Sequence, residues 1–458
     1  MTATKALAEF VAATRLADLP DDVVQRGRLI LADCVGCIVA GSGAAEVRRL
    51  AGLEVGRGEP AATALGISVR LATDAAAYVN GTAGTWHDLD EGNLSTRTHA
   101  GIQIVPAAMA EAEASSLSGA ALLEAVILAY EASARLWRAT QSRLAVHPHG
   151  TYGPLAAAFA LGKLRGDDAG GIERAVNIAA TLGIAASRNT LSDGATVRNI
   201  YTGHSGRAGF QALALRDAGF TGEADAAASI LGNIYGSAFD PAVATAELGR
   251  HWWIRRNYFK RFASGRYMHG ALDLVEELAE DLGAQLSPAR LARIDIETFF
   301  MAATLRQQSV RTPFGCRFSI PIAVAQRITH GPVALTDDGA RAFADPVVAD
   351  LARRIFVSED PAATAAYPDR QPTRIAVVFR DGQSRSASSE RILGESDHPL
   401  PAGTLEAKFN ALTDADWSGG AAAWRDLNRI QEIKDVRRLI EGWRTAWPND
   451  LTVKEQRP

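Results

Sequence analysis

From Asp22 to about residue 260 the chain reads as a succession of Ala/Leu-rich patterns of helical period, separated only by short Gly, Pro, Asp or Thr punctuation. Few windows in this region alternate with strand period. Such a chain buries its apolar stripes by packing helix on helix, so a predominantly helical domain is expected. Asp21 or Asp22 caps a helix running to Ala40, and Ser118-Gly119 precedes one running through Leu136. Thr151 precedes a third, which carries Pro154 in its first turn and ends near Gly162 or Gly166.

The texture changes after about residue 265. Residues 292–300, A-R-I-D-I-E-T-F-F, alternate with strand period, and 373–392 form two strand-like runs about Asp381-Gly382, a hairpin signal. Helical patterns at 315–329 and 340–355 lie between these strands, and the loop at 395–403 leads back into helical sequence at 404–446. A smaller α/β unit is therefore expected late in the chain, and the helical domain is expected to be discontinuous.

With 458 residues, two domains or one domain with a large insertion is the expectation. A formal net charge of -4 and the lack of any long Lys/Arg run argue against nucleic acid or a membrane surface as a partner. The most apolar windows, such as 121–132, are interrupted by Glu124 and Glu131, so no spanning helix is expected. Glu9, Arg15 and Asp18 interrupt what would be the apolar stretch of a secretory leader, so the expected location is cytoplasmic. Cys34 and Cys37 are spaced C-x-x-C but lie inside an apolar helical pattern. Buried packing explains them better than redox or metal chemistry, with Gly36 admitting a close helix neighbour and Gly41 ending the helix.

Four stretches carry chemistry. Residues 86–101, W-H-D-L-D-E-G-N-L-S-T-R-T-H-A-G, gather His87, Asp88, Asp90, Glu91 and His99 about one Gly-Asn turn that includes Asn93. A solvated helix end is the alternative account of so many acids. Residues 145–160 place His147 and His149 around Pro148, directly before an Ala-rich helix whose free N–H groups suit an anion; plain capping of a buried helix is the alternative. In 257–270, Lys260, Arg266 and His269 fall at the junction between the two textures, where a ligand cleft or an ordinary solvated basic stretch would both fit. In 195–210, Arg198, Tyr201 and His204 sit beside small residues at a helix start.

Taken in this order, the chain resembles the family of 2-methylcitrate dehydratases and cis-aconitate decarboxylases, the MmgE/PrpD family. The resemblance spans D-C-V-G-C-I-V-A-G at 33–41, V-N-G-T-A-G-T-W-H-D-L-D-E at 79–91, T-H-A-G at 98–101, H-P-H-G-T-Y-G at 147–153, G-K-L-R-G at 162–166, A-G-F-T-G at 218–222 and K-R-F-A-S-G-R-Y-M-H at 260–269. It implies a mainly α protein: a large all-helical domain built from both chain ends, 1–265 and 402–458, with an inserted α/β lid domain at 266–401. It also implies a homodimer and an active site between the domains with no cofactor and no resident metal. Asp88, His99, His147 and Lys260 match the family's active-site aspartate, two histidines and lysine. Arg266 and His269 match residues common in the same motif, and Asn93, His149, Arg198 and Tyr201 complete the set expected to bind substrate.

The chain also departs from the family pattern. Asp90-Glu91-Gly92 stands where Asp-Asp-Thr is common, with one apparent extra residue before His99, and Arg198 and Tyr201 replace a usual lysine and histidine. Gly265 and Ile322 stand where cis-aconitate decarboxylases carry a histidine and a tyrosine, which points away from that reaction.

Removing a proton beside a carboxylate creates an enolate-like dianion, so an enzyme without a metal needs a positioned base and fixed cations. The expected activity is a cofactor-independent lyase of a small carboxylate, most simply a dehydratase of a hydroxylated di- or tricarboxylate resembling 2-methylcitrate. His147 or Lys260 would take the α-proton, His99 would protonate the departing hydroxyl, Asp88 would orient His99, and Arg198 with Arg266 would bind carboxylates. Asp90 and Glu91 would face Lys and Arg groups across the cleft. An epimerase or isomerase of a related polycarboxylate, a decarboxylase, and a non-catalytic helical binding protein are the alternatives. His87, Asp88, Asp90, Glu91 and His99 are also of metal-ligating types, without a recognised ligand spacing.

Overall fold

The computed structural model describes residues 1–413 and 417–447; residues 414–416 and 448–458, which the sequence assigns to the helical domain, lie outside the described residues. The protein is mainly α. Its large core is built from helices α1 (Asp21–Ser42), α2 (Thr73–Gly84), α3 (Ala100–Ala114), α4 (Gly119–Arg138), α5 (Gly153–Leu164) and α6 (Ile200–Asp217). The local signals explain several boundaries: Ser118 accepts the Ala121 N–H at 3.2 Å and starts α4, and Pro154 occupies the first turn of α5.

Small residues set how closely these helices cross. A methyl group added to Gly203 on α6 would run into the Tyr78 carbonyl of α2, and one on Gly81 would lie 2.7 Å from the Gly203 Cα. Gly41 does not end α1, which continues to Ser42; its bare Cα admits the Ala83 carbonyl at the C-terminal end of α2. Gly36 faces the ring of Phe409. The end of α2 is thus clamped by α1 and α6, which fixes where the following loop departs.

Two short strands, β1 (Gly92–Asn93) and β2 (Asn257–Tyr258), pair antiparallel with Gly92 opposite Tyr258. Beyond them a second core gathers between Met268 and Phe379. It comprises α7 (His269–Leu282), α8 (Ile320–His330) and strands β3 (Leu291–Thr298), β4 (Ile355–Glu359), β5 (Thr373–Phe379) and β6 (Ser384–Ser389). The sheet order is β6-β5-β3-β4; β3 and β4 run parallel and β5 is antiparallel to both its neighbours. Ile294, Ile296, Ile355, Ile375 and Val377 alternate onto the buried face. At the β5–β6 turn Gly382 adopts φ 86°, which a side chain would disfavour.

The chain then returns to the large core, where α9 (Thr404–Thr413) packs on α1 and Phe409, Trp417 and Trp443 join the helical core. No single helix among the described residues is long and apolar enough to cross a membrane.

Candidate active site

The loop between α2 and β1 is the centre of the site. Its acids are not a solvated helix end: Asp88, Asp90 and Glu91 are buried at 1, 0 and 0 % exposure. Three local features build it. Thr85 bonds the Asn199 carbonyl at 3.2 Å, tying the start of the loop to α6. Asp88 adopts φ 52°, a left-handed conformation that Asp tolerates better than most residues and that turns the loop sharply. Asn93 and Thr98 then exchange backbone hydrogen bonds of 2.8 and 3.1 Å, so the chain doubles back and sets His99 at the head of α3 beside Asp90.

The outcome is a carboxylate–imidazole dyad. His99 Nδ1 lies 2.8 Å from Asp90 Oδ2, its backbone N–H donates to the Tyr152 hydroxyl at 2.9 Å, and its Nε2 lies 3.4 Å from the Tyr258 hydroxyl. Burial disfavours the ionised form of Asp90, but Lys260 and His99 outweigh it and hold the carboxyl well below the usual carboxylate range. An ionised Asp90 keeps the ring proton on Nδ1 and leaves Nε2 with its lone pair.

Asp88 does something else. Arg198 donates to its Oδ1 at 2.5 Å, and the Lys260 ammonium donates to its carbonyl at 2.7 Å and stands 3.3 Å from its Oδ2. The β1–β2 pairing brings this about, since Lys260 lies two residues beyond the end of β2. The carboxylate that orients His99 is therefore Asp90 and not Asp88. Glu91 likewise faces no cation across a cleft. It accepts the Gly101 N–H at 2.9 Å and the Tyr130 hydroxyl at 3.0 Å, and burial, reinforced by Asp33, pushes its carboxyl up to about 8.

His147 accepts the His149 N–H at its Nδ1, 3.1 Å away, so its neutral ring carries the proton on Nε2. Burial and Arg198 hold the His147 pKa well below the ordinary histidine value, and they act on His149 in the same direction. The base role considered for His147 has no free ring nitrogen in this geometry. His149 is fully buried, with neither ring nitrogen hydrogen-bonded among the described residues, and stands edge-on to His99 and to His147 with 4.7 Å between ring centroids in each case. Buried polar atoms without protein partners call for a water, an ion or a bound group to satisfy them.

Asp88, Asn93, His99, His147, His149, Arg198, Lys260 and Arg266 all line one cavity of about 140 Å³, closed from the sheet-bearing side by Tyr267, Phe300, Phe318 and Tyr367. Tyr201 and His269 stand behind its wall. Tyr201 packs edge-on against His147, and His269 sits against Phe262 with its Nε2 3.4 Å from the Ser264 carbonyl. Arg266 reaches the wall, but its guanidinium donates to Glu395 at 2.7 Å. Gly265 contributes no side chain to the cavity, and Ile322 belongs to the core beneath the sheet.

Among the described residues the wall holds six cationic side chains, Arg97, Arg143, Arg188, Arg198, Lys260 and Arg266, and one carboxylate, Asp88. Sequence reasoning missed Arg97, Arg143, Arg188 and Tyr258. Tyr258 could have been noticed as the partner of Lys260 at alternate positions of one extended segment, whereas Arg143 and Arg188 lie outside any motif and Arg97, inside the 86–101 stretch, is outweighed there by the acids and histidines.

The five residues weighed as metal ligands do not converge, since His87 is turned to Arg317, 3.1 Å from its Nδ1, and Asp88 and Glu91 are engaged as above. Asp90, His99 and His149 do offer donor atoms within 4.8 Å of one another. Two imidazoles and a carboxylate suit a transition metal, although Asp90 Oδ2 and His99 Nδ1 already share a hydrogen bond.

Comparison with known proteins gives the family of the chain. The model of the MmgE/PrpD N-terminal domain matches residues 5–237 and that of the MmgE/PrpD C-terminal domain matches residues 262–430. A cis-aconitate decarboxylase of Aspergillus terreus is 23 % identical over 454 residues, covering 92 % of this chain and 89 % of the relative. The human cis-aconitate decarboxylase is 23 % identical over 459 residues, covering 94 % and 92 %. A cis-aconitate decarboxylase-like protein, oryM, of Aspergillus oryzae is 26 % identical over 303 residues, covering 60 % and 61 %. Since the two matched domains together span most of its length, the chain belongs to the MmgE/PrpD family.

Proposed function

We propose that this protein is a cofactor-independent lyase that removes water from a hydroxylated di- or tricarboxylate after abstracting an α-proton. One observation carries the reading: an imidazole backed by an ionised carboxylate lines a cavity walled by cations, its Nε2 engaged by a long 3.4 Å contact with the Tyr258 hydroxyl. His99 Nε2 would take the α-proton, and Asp90 would stabilise the imidazolium. Negative charge would then grow on the carboxylate next to the carbanion, where Arg198 and the Nε2–H of neutral His147 supply fixed donors. The C–O bond breaks as the carbanion electron pair forms the double bond, and the Lys260 ammonium protonates the departing hydroxide. Water leaves, and the His99 proton then passes to Lys260 or to solvent. This reverses the roles expected from sequence, because among the described histidines that line the cavity His99 is the one hydrogen-bonded to a carboxylate.

A second reading, decarboxylation of an unsaturated tricarboxylate, rests on the names of the relatives. Against it stands the bare wall at Gly265. A homodimer, which rests on family resemblance, and a cytoplasmic location belong to the same proposal. Incubation with a panel of hydroxy-polycarboxylates tests the reading: an unsaturated product absorbing in the ultraviolet, without carbon dioxide, supports dehydration. Carbon dioxide release supports decarboxylation, and recovered substrate of inverted configuration supports epimerisation.

A further inference from the structure

Three successive peptide carbonyls in the loop after α2 each accept a hydrogen bond from a buried cation. Arg317 donates to the His87 carbonyl at 3.2 Å, Lys260 to that of Asp88 at 2.7 Å, and Lys408 to that of Leu89 at 2.9 Å. Lys408 stands on α9, away from the cavity wall. Its ammonium also donates to Oδ1 of Asp33, on α1, at 2.6 Å, and Asp33 Oδ2 accepts the Glu91 N–H at 3.0 Å. Both side chains are buried. The pair therefore grips the chain at residue 89 and again at residue 91, one residue to either side of Asp90.

Asp90 depends on that grip. Its Oδ2 meets His99 Nδ1 at 2.8 Å, while its Oδ1 is buried with no hydrogen-bond partner among the described residues. A carboxylate with several donors is placed by them, as Asp88 is by Arg198 and Lys260. Asp90 has only the ring it must orient, so its place is set by its backbone. A buried ion pair is by itself weak evidence for stability, because taking two charges out of water offsets their attraction. The hydrogen bonds to the Leu89 carbonyl and the Glu91 N–H give this pair a use that two apolar side chains could not supply.

We infer that Asp33 and Lys408 are positioning residues for the proposed reaction: by clamping the peptides on both sides of Asp90 they hold its carboxylate at hydrogen-bonding distance from His99. The inference rests on the reading of His99 as the base and extends it to two helices, α1 and α9, that do not line the cavity.

Replacing the pair together, Asp33→Val with Lys408→Met, tests it, because two apolar side chains of similar volume remove both grips without stranding a buried charge. The first readout does not need turnover: it is the downfield proton NMR resonance of the His99 Nδ1–H, identified by its loss in His99→Gln. The double variant should melt near the parent, yet this resonance should shift or broaden. Its kcat should fall about ten- to hundred-fold with KM within about three-fold. In an Asp90→Asn background the same exchange should lower kcat by less than about three-fold further, since no carboxylate is left to place. Lys408→Gln, which removes the ammonium and keeps most of the side chain, should move both readouts in the same direction and serves if the double variant does not fold. A parental resonance in the folded variant, or an undiminished loss of kcat on top of Asp90→Asn, overturns the clamp; if hydroxy-polycarboxylates are still turned over, the lyase reading survives. A resonance that depends on Lys408 in a protein that turns over no such acid supports the clamp and overturns the lyase reading. Absence of the resonance from the parent overturns the clamp together with the dyad it serves.

Discussion

His99 Nδ1 and Asp90 Oδ2 share a 2.8 Å hydrogen bond at the floor of a cation-lined cavity, while the neighbouring carboxylate of Asp88 is held by Arg198 and Lys260. Two acids two residues apart therefore have different work. Asp90→Asn keeps the shape but presents an amide that can donate to Nδ1, moving the ring proton to Nε2, where it blocks the base. It should lower kcat by about 10²- to 10⁴-fold with little change in KM. Asp88→Asn leaves two buried cations without their counter-ion and should first lower stability, by about 3–5 kcal/mol, read from denaturant midpoints. Equal kcat losses with equal stabilities would contradict this division.

Glu91 gives a pH signature. Its carboxyl holds its proton to about 8 in the folded protein against an ordinary value of 4.5. Between those values the native state binds more protons than the unfolded chain, so Glu91 makes stability fall as pH rises, and the fall ends above the folded value. Glu91→Gln cannot titrate, so relative to the parent it should gain up to about 1.4 kcal/mol per pH unit across that window. Urea unfolding of both proteins from about pH 5 to about pH 8 reads it, and a constant difference would count against a neutral Glu91.

The crossing of α2 and α6 depends on the absence of a side chain at residue 203, since a methyl group there meets the Tyr78 carbonyl. Backbone cannot move aside as a flexible side-chain tip can. Gly203→Ala should destabilise by about 1–3 kcal/mol or more and should also reduce activity, because Arg198 lies in the turn that leads into α6. A variant with parental melting temperature would show that the crossing is looser than described.

What was legible in the sequence was local. The Ser118 cap, the Pro154 first turn and the Asp381-Gly382 hairpin depend on a few adjacent residues, and the acid–histidine stretch at 86–101 announced itself by density. Which acid meets which base was not legible. It depends on the left-handed turn at Asp88 and on the pairing of Gly92 with Tyr258, contacts set by residues far apart in the chain. Gly41 looked like a helix stop because glycine favours such ends, yet it serves a helix crossing. Arg188 and Tyr367 belong to no motif, and only folding brings them to the cavity.

Asp90, His99 and His149 could also serve a cation. The cofactor-independent account expects full activity after dialysis against a chelator, with no stoichiometric metal by elemental analysis. A bound ion whose removal abolishes turnover, and whose return restores it, would assign those three side chains to a metal.

The most direct test of the central claim, that His99 backed by Asp90 removes the α-proton, is turnover of a hydroxy-tricarboxylate in deuterium oxide followed by proton NMR. The account expects the parent to form the unsaturated acid and to wash deuterium into the α-position of recovered substrate, with both signals reduced by about 10²-fold or more in His99→Gln. Exchange that continues at the parental rate in His99→Gln would contradict it.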